Sequence, residues 1–423
     1  ARCGSGGGTI AALEYASPDE SILVLHAGGD SSRCPTQMIL GKAWTNLPHP
    51  KYRNPTIWLV DQLVNLCSVA RFPKGTIVVA ATDCLLKFFD NGGNLPTCNT
   101  EYSANTVIGV AVPALLTTAK NHGVYIMPEP TGDSGDQALR IEDPLEVWQK
   151  PSIEKLVSTK EPANASFEDS HGDRRAWIDT GLVIFLPGAA ATLFKLAETS
   201  LSRCTRKGLE ALYKGEQSKS QSLEEFARAN ALKVDLYTDI LHNLSWPGQA
   251  AKKDDRENPF EAMFSDLPLR VLLAPQGAFL HLGTSSELLS FMTNSVFPEL
   301  KSQNDLPSDL SHFSFFQSSF QCLGCPKQTK SVTLQSTFPP NTSIGTGSLV
   351  EYCDFANYVS LSVGDNCILS GWKDPGESKV SLTIPSNLCV QQLTLNAETG
   401  DPNESVFMVY GTNDSIKSPR DDS

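Results

Sequence analysis

Residues 21–27 read SILVLHA, an apolar run that leads directly into Gly28-Gly29 and then into polar sequence. A short apolar run that ends at glycines predicts a buried strand followed by a loop. The same patterns predict further strands at residues 75–81, 106–112, 123–127 and 181–186, and helices at 56–70 and 189–201. Strands that alternate with helices indicate a Rossmann-like α/β fold with a mostly parallel sheet, in which ligands bind at the carboxyl ends of the strands.

The pattern changes after about residue 325, where helical periodicity disappears and short apolar steps alternate with turn residues. Residues 344–349 (IGTGSL) and 363–368 (VGDNCI) resemble the hexapeptide repeat of a left-handed β-helix. A plain β-sandwich would also account for short strands at this density. We therefore predict two domains, residues 1–325 and a β-helix-like domain at 326–423.

Composition excludes several classes of protein. The chain has 423 residues, of which 40% are hydrophobic and 19% charged, and this is ordinary globular composition. A net charge of −13 argues against a nucleic-acid partner, which would require a basic surface. No apolar stretch is long enough to span a bilayer, so no membrane partner is expected.

Cysteine usage and the chain start indicate the cellular setting. The 11 cysteines are an odd number scattered through a large chain, which favours reduced thiols and a cytoplasmic protein. We see no secretory leader. The first residue is Ala rather than Met, so we expect the chain to be a fragment or a processed form.

The stretch HAGGDSSRCPTQMILGK, residues 26–42, contains the strongest chemical signal. Two glycines after a buried strand let backbone amides approach a phosphate chain without a side-chain clash. Arg33 and Lys42 supply two cations that can neutralise the charge developing on a leaving pyrophosphate. The alternative is a tight strand–helix turn with no ligand.

The same stretch resembles the nucleotide loop of sugar pyrophosphorylases, and in this form that of the fucose-1-phosphate guanylyltransferase family, which includes the related domain of bifunctional fucokinase/pyrophosphorylase proteins. Other segments match the family's order: GSGGGT at 4–9, NHGV at 121–124, KPSIEK at 150–155, DTG at 179–181 and LHLGTSS at 280–286. The resemblance covers nearly the whole chain. It implies a GT-A-like nucleotidyltransferase that condenses fucose-1-phosphate with GTP to give GDP-fucose and pyrophosphate.

The resemblance also implies roles for individual residues. The GTP phosphates are expected to contact Gly28, Gly29, Asp30 and Ser31, while Arg33 and Lys42 are the catalytic cations. Lys150 and Asp179 match positions that meet the sugar phosphate, and we add His122 from its His-Gly context. Lys150 could instead be a solvated surface lysine, and His122 a structural histidine.

Magnesium is the expected cofactor, and Asp83 is its candidate ligand because it ends a buried strand where the wider superfamily places an aspartate. Asp83 could equally be a helix N-cap. The family's second metal carboxylate, in a D-x-G-T motif, is replaced here by His281, which is a poor magnesium ligand. Asp239, four residues after Asp235, is offered as a substitute, although an exposed acidic helix face explains that spacing better.

Two alternative functions stay open at this stage. The chain may be part of a longer bifunctional protein whose kinase domain lies elsewhere, or a catalytically silent regulatory or scaffold relative, which the change at His281 favours. A homo-oligomer formed through the C-terminal domain is also left open.

Overall fold

The computed structural model describes residues 3–27, 34–37, 41–47, 53–88, 102–128, 138–158, 165–169, 172–216, 222–247, 259–296, 330–374, 376, 379–394 and 405–414. The chain divides into two compact units. The first unit comprises Ala1–His26, Val60–Ala81 and Leu86–Phe279, and the second Ala27–Leu59, Thr82–Leu85 and Leu280–Ser423. The predicted domain boundary at residue 325 lies outside the described residues and stays a prediction.

The described helices are α1 (Gly4–Leu13), α2 (Pro55–Ala70), α3 (Leu116–Ala119), α4 (Ile153–Val157), α5 (Pro187–Glu198), α6 (Arg206–Glu216), α7 (Leu223–Asn230), α8 (Pro259–Phe264) and α9 (Ser285–Val296). Strands up to residue 281 are β1 (Ile22–His26), β2 (Ile77–Ala81), β3 (Cys84–Lys87), β4 (Val107–Leu115), β5 (Gly123–Ile126), β6 (Arg140–Glu142), β7 (Glu146–Gln149), β8 (Phe167–Glu168), β9 (Arg174–Phe185), β10 (Leu269–Leu273) and β11 (Ala278–His281). Later strands are β12 (Val332–Leu334), β13 (Asn341–Ile344), β14 (Leu349–Glu351), β15 (Ser360–Val363), β16 (Ile368–Ser370), β17 (Ser381–Ile384), β18 (Leu388–Thr394) and β19 (Ser405–Gly411). None of the described helices is both long enough and apolar enough to cross a membrane.

A mixed sheet forms the core of the first unit, in the order β1-β2-β9-β4-β10-β6, with β5 and β8 on β9 and β7 on β5. β1 pairs with β2, and β10 with β4, in parallel, as predicted. The expectation of a mostly parallel sheet is wrong for β9, which runs antiparallel to β2, β4, β5 and β8. The reason is local: β9 follows β8 through a tight turn, and a short connection of that kind joins antiparallel strands.

Apolar side chains from both faces of this sheet bury the strands. Ile77, Val79, Val183 and Phe185 have no exposed surface and belong to one continuous core that also takes in α5. β-branched and aromatic residues suit strands that are covered on both faces. The predicted strands and helices of this region are therefore confirmed, although β9 begins seven residues before the predicted 181.

The glycines of GSGGGT belong to helix α1 and serve packing. A Cβ added at Gly6 would lie 2.9 Å from Val234 Cγ1 and 3.1 Å from the backbone nitrogen of Leu236. Gly7 donates its backbone N–H to the Val234 carbonyl at 3.0 Å. By contrast, no described atom lies within 4 Å of a Cβ added at Gly8. Close approach of α1 to the segment at Val234 thus accounts for Gly6 without any ligand.

A matched pair of variants tests this explanation. Gly6→Ala is expected to lower the free energy of unfolding by about 1–3 kcal/mol, because the new methyl overpacks against backbone. Gly8→Ala is expected to raise it by about 0.5–1 kcal/mol, because alanine restricts the unfolded chain and suits a helix interior. Urea titration of both variants measures the two shifts. Equal shifts would contradict the packing role of Gly6.

In the second unit, the C-terminal strands form two sheets of parallel pairs. One sheet has the order β12-β14-β16-β18-β19, with only β19 antiparallel among its pairings, and the other has the order β13-β15-β17. Ile344 pairs with Val363, 19 residues later, and Val363 with Ile384, 21 residues later. Parallel pairs at such short spacing require the chain to return to the same side after each circuit.

Stacked corner residues mark each circuit. Gly347, Asn366 and Asn387 adopt left-handed backbone conformations, with φ of 72°, 54° and 62°. Glycine and asparagine tolerate this region best. Asn366 Nδ2 also donates to Asn387 Oδ1 at 3.3 Å, which links one corner to the next. The glycine and asparagine of the two predicted hexapeptide-like motifs thus occupy equivalent turns.

Candidate active site

The candidate nucleotide loop lies mostly outside the described residues. Gly28, Gly29, Asp30, Ser31 and Arg33 all fall in that stretch, and their roles stay predictions. The structure describes Lys42 at the far end of the loop motif. Gly41 precedes it with φ of 77°, and a Cβ there would lie 3.1 Å from the Ala27 carbonyl oxygen. Glycine at 41 therefore allows the chain to turn close to the residue that follows β1.

Lys42 and Asp83 are brought together in the second unit. The Lys42 ammonium donates to Asp83 Oδ2 at 3.0 Å, and both side chains are largely buried, with exposed fractions of 17% and 33%. Asp83 leads into strand β3, so the alternative of a helix N-cap is wrong. The Asp83 carbonyl accepts the Leu282 N–H at 2.8 Å, which ties it to the segment that contains His281.

His281 lies between two carboxylates. Its Nε2 is 3.6 Å from Asp83 Oδ2 and its Nδ1 is 3.2 Å from Glu287 Oε2. Glu287 Oε2 also accepts the N–H groups of Gly283 and Thr284 at 2.9 and 3.0 Å, while Thr284 Oγ1 accepts the Glu287 N–H. This reciprocal pattern is a capping box that begins helix α9. We call Lys42, Asp83, His281 and Glu287 the Lys42 cluster.

Mutual pairing sets the ionisation of the Lys42 cluster. Burial by itself lowers the pKa of His281, but hydrogen bonds and charge from Asp83 and Glu287 overcome this and raise that pKa to about 9. Burial raises the pKa of the Asp83 carboxyl, yet His281 and Lys42 together hold it well below its usual range. The pKa of Glu287 is lowered in the same way, chiefly by His281. At neutral pH the cluster therefore holds two cations and two anions.

These charges predict a pH-dependent stability. A histidine whose pKa rises on folding stabilises the protein fully below its unfolded pKa of 6.5, and this stability is lost as the pH rises through about 9. We expect wild type to exceed His281→Gln by on the order of 3 kcal/mol at pH 6.5, and the difference to shrink by pH 9.5. Glu287→Gln should move this loss to lower pH. Urea titrations from pH 5.5 to 9.5 measure both effects, and a difference that does not vary with pH would contradict them.

The donor set at Asp83 does not fit a magnesium site. Magnesium takes unprotonated oxygen ligands and keeps several waters. Here Asp83 Oδ2 already contacts the Lys42 ammonium and a protonated His281. In the part of the chain that the structure describes, no three His, Cys, Asp or Glu side chains form a group able to hold a metal. We therefore derive no step from a metal bound to Asp83.

The second metal candidate, Asp239, makes a different contact. Its Oδ2 accepts the Asp235 N–H at 2.7 Å in the first unit. The Asp235 carboxylate in turn accepts the N–H groups of Tyr237 and Thr238 at 2.9 and 3.0 Å. The two aspartates thus cap the helical turn at Leu236–Ile240, as the alternative to metal binding anticipated.

The sugar candidates lie in the first unit. Asp179 occupies a bulge in β9: between the pairs Val183–Gly109 and Asp179–Ala111, β9 has three residues where β4 has one. Gly181, with φ of 72°, makes this bulge possible. Bulges often aim a side chain at a functional site. Asp179 Oδ1 accepts the Gly181 N–H at 3.2 Å and the Tyr125 hydroxyl at 3.3 Å.

His122 and Lys150 are brought together by their backbones. The Lys150 N–H donates to the His122 carbonyl at 3.0 Å where β5 begins and β7 ends. The exposed Lys150 has φ of 46°, a strained conformation outside glycine and asparagine, which sharply redirects the chain. The half-buried His122 ring packs edge-on against Phe279 at 5.0 Å. Gly123, the next residue, would place a Cβ 3.3 Å from Asp179 Cβ, so all three sugar candidates belong to one neighbourhood.

Two further residues of these sites were missed from the sequence. Glu287 carries a signal that sequence reasoning can use, because residues 284–287 read TSSE, the pattern of a capping box. Tyr125 carries none, because a tyrosine in an apolar strand is usually a core residue.

Comparison with known proteins identifies the family. A family model described as the fucose pyrophosphorylase domain matches residues 18–423, almost the whole chain. The chain belongs to the fucose pyrophosphorylase family. Helix α1 begins before the matched region of this family, whereas the Lys42 cluster, Tyr125 and Asp179 all lie within it.

Curated relatives agree with the family match. Human fucose-1-phosphate guanylyltransferase is 28% identical over 448 residues, which cover 99% of this chain and 66% of that protein. The mouse protein of the same name is 24% identical, with coverage of 98% and 67%. The chain thus spans about two thirds of the length of these relatives. A bifunctional fucokinase/GDP-fucose pyrophosphorylase from Arabidopsis thaliana is 30% identical over 38% of this chain and 14% of that protein.

Among solved structures, the inositol-1-phosphate CTP transferase from T. maritima matches 72% of this chain and 99% of its own, with 8% identity and a TM-score of 0.31. A likeness at this level carries no argument about the fold.

Proposed function

We propose that this protein is a nucleotidyltransferase that condenses fucose-1-phosphate with GTP and releases GDP-fucose and pyrophosphate. The observation that carries the proposal is the ion pair between Lys42 and Asp83, at 3.0 Å, within a chain that belongs to the fucose pyrophosphorylase family. It places one of the two predicted catalytic cations against a fixed, buried carboxylate.

The reaction needs little covalent chemistry from the protein. A phosphate oxygen of fucose-1-phosphate attacks the α-phosphorus of GTP in line, and the bond to the pyrophosphate oxygen breaks. The attacking oxygen is already anionic, so no general base is required. Catalysis then rests on holding two anions together and on neutralising the leaving pyrophosphate.

Lys42 suits this task in the position that it occupies. An ammonium has three N–H donors, and Asp83 takes one of them, which leaves two for phosphate oxygens. Asp83 holds the ammonium in place and is itself held by His281, so the cation is positioned before substrate arrives. Such preorganisation is the usual source of charge stabilisation in enzymes.

We propose that magnesium reaches the site as the counter-ion of the GTP phosphates, and that Asp83 anchors Lys42 instead of binding the metal. When bound, magnesium supplies additional neutralisation of the phosphates. The contacts of Asp83 with Lys42 and His281 support this assignment.

We propose further that the C-terminal strands coil as a left-handed β-helix appended to a GT-A-like nucleotidyltransferase fold. Parallel pairs 19 and 21 residues apart and the stacked corners at Gly347, Asn366 and Asn387 support a coil. An antiparallel sandwich would not produce those pairings. We expect the protein to act in the cytoplasm, where GTP is available.

Pyrophosphate release tests the proposed function directly. Purified chain is incubated with magnesium, one of four nucleoside triphosphates and one of several sugar-1-phosphates, including fucose, mannose and glucose. We expect the GTP and fucose-1-phosphate pair to give the fastest release. Absence of release from every pair would contradict the function and favour the silent regulatory relative, whose supporting observation is the two cations on Asp83.

A further inference from the structure

Tyr125 is a buried tyrosine whose hydroxyl points at a functional carboxylate. It lies on β5 with 4% of its surface exposed, and its hydroxyl donates to Asp179 Oδ1 at 3.3 Å. A Cβ at Gly109 would overlap that hydroxyl, so glycine at 109 makes room for it beside the bulge. The described residues give the other oxygen of Asp179, Oδ2, no side-chain partner.

The surroundings of Asp179 contain no compensating cation among the described residues. Strand β4 presents Gly109 and Ala111, and β2 presents Ala81 near Gly181. Strand β7 contributes the neutral amide of Gln149, which lies over Gly123. The turn at Leu236–Ile240 contributes only the Tyr237 hydroxyl.

This environment affects ionisation in a defined direction. Burial raises the pKa of Asp179 to about 6, and the Gly181 N–H and the Tyr125 hydroxyl oppose that rise. Both donors favour the charged carboxylate. Without the tyrosine hydroxyl, Asp179 would therefore protonate at a higher pH.

A carboxylate without a nearby cation is a poor partner for a phosphate, because two anions repel each other. It is a good acceptor for hydroxyl groups, which are neutral donors. Its unpaired Oδ2 can therefore bind the sugar ring of a sugar phosphate, and the phosphate must be bound elsewhere.

We propose that Tyr125 is a positioning residue for sugar recognition: its hydroxyl holds the Asp179 carboxylate ionised and aimed so that Oδ2 accepts a hydroxyl of the sugar ring. This inference rests on the proposed function and extends it to a residue outside the nucleotide and phosphate contacts. Tyr125 acts through Asp179 and does not itself touch the substrate.

The variant Tyr125→Phe tests the proposal, because it removes one oxygen and keeps the buried ring. We measure kcat/KM for fucose-1-phosphate at saturating GTP from pH 5.5 to 8.5. A lost hydrogen bond to a carboxylate is equivalent to about one pKa unit, so the acid limb should move up by about that amount. Activity should fall roughly eightfold at pH 5.5 and hardly change at pH 8.5. The KM for GTP should stay the same.

Two controls make the result decisive. Tyr102→Phe removes a hydroxyl that donates to the Ala70 carbonyl at 3.0 Å, a backbone acceptor, and should leave the profile unchanged. The carboxyl titration of Asp179, followed by carbon-13 NMR and assigned with Asp179→Asn, should move up in Tyr125→Phe without any turnover.

The outcomes separate the two proposals. An active wild type whose acid limb is the same in Tyr125→Phe, or a loss by one factor at every pH, would overturn the positioning role and leave the proposed function standing. If wild type turned over no sugar phosphate while the Asp179 titration still moved, the proposed function would fail, and sugar recognition with it.

Discussion

Replacing Lys42 with alanine is expected to lower kcat by on the order of 100-fold or more, the usual loss for one preorganised charge-stabilising donor. The ammonium is the one predicted catalytic cation that the structure describes, and its contact with Asp83 at 3.0 Å holds it in a fixed position. The charge that it neutralises develops as pyrophosphate leaves, so the effect should appear in kcat more than in KM. Steady-state pyrophosphate release measures both constants.

Several comparisons give this experiment its specificity. Lys195→Ala removes an exposed lysine from the last turn of α5 and should leave kcat unchanged. Asp83→Asn should reduce kcat less than Lys42→Ala does, because the ammonium remains but loses its anchor. The double variant should be no worse than Lys42→Ala alone, since the two residues act as a unit. Near-normal kcat in Lys42→Ala would contradict the proposed role of Lys42.

Replacing Phe355 with alanine is expected to lower the free energy of unfolding by about 3–5 kcal/mol, the range for a large aromatic side chain removed from a core. Phe355 has no exposed surface and contacts Phe338, Tyr358 and Trp372, with ring centroids 5.6 to 6.2 Å apart. It thus fills the interior between the two C-terminal sheets. Urea unfolding followed by circular dichroism and tryptophan fluorescence measures the loss.

Val359→Ala is the matched control for this prediction. Val359 lies four residues away in the same C-terminal region, and 52% of its surface is exposed. Its truncation should change the free energy of unfolding by less than about 0.5 kcal/mol. A similar loss from both variants would mean that Phe355 is not at the centre of a packed core.

Sequence reading recovered those parts of the site that depend on local chain order. Lys42 and Asp83 were both singled out because each follows a recognisable strand or loop pattern, and the structure brings them together. Glu287 was recoverable in principle from its capping-box spacing. The contact between Tyr125 and Asp179 was not, because the two residues are 54 positions apart and only the pairing of β5 with β9 makes them neighbours.

What the sequence by itself determined was local: the apolar runs that become β1, β2 and β4, the periodicity that becomes α2 and α5, the change of pattern near residue 325, and the family. These follow from burial and backbone preference, which act over a few residues. Only the tertiary structure decided the antiparallel direction of β9, the contacts of His281 with Asp83 and Glu287, and the cation pairing of Asp83. Those features depend on which distant segments meet, and no short-range preference specifies that meeting.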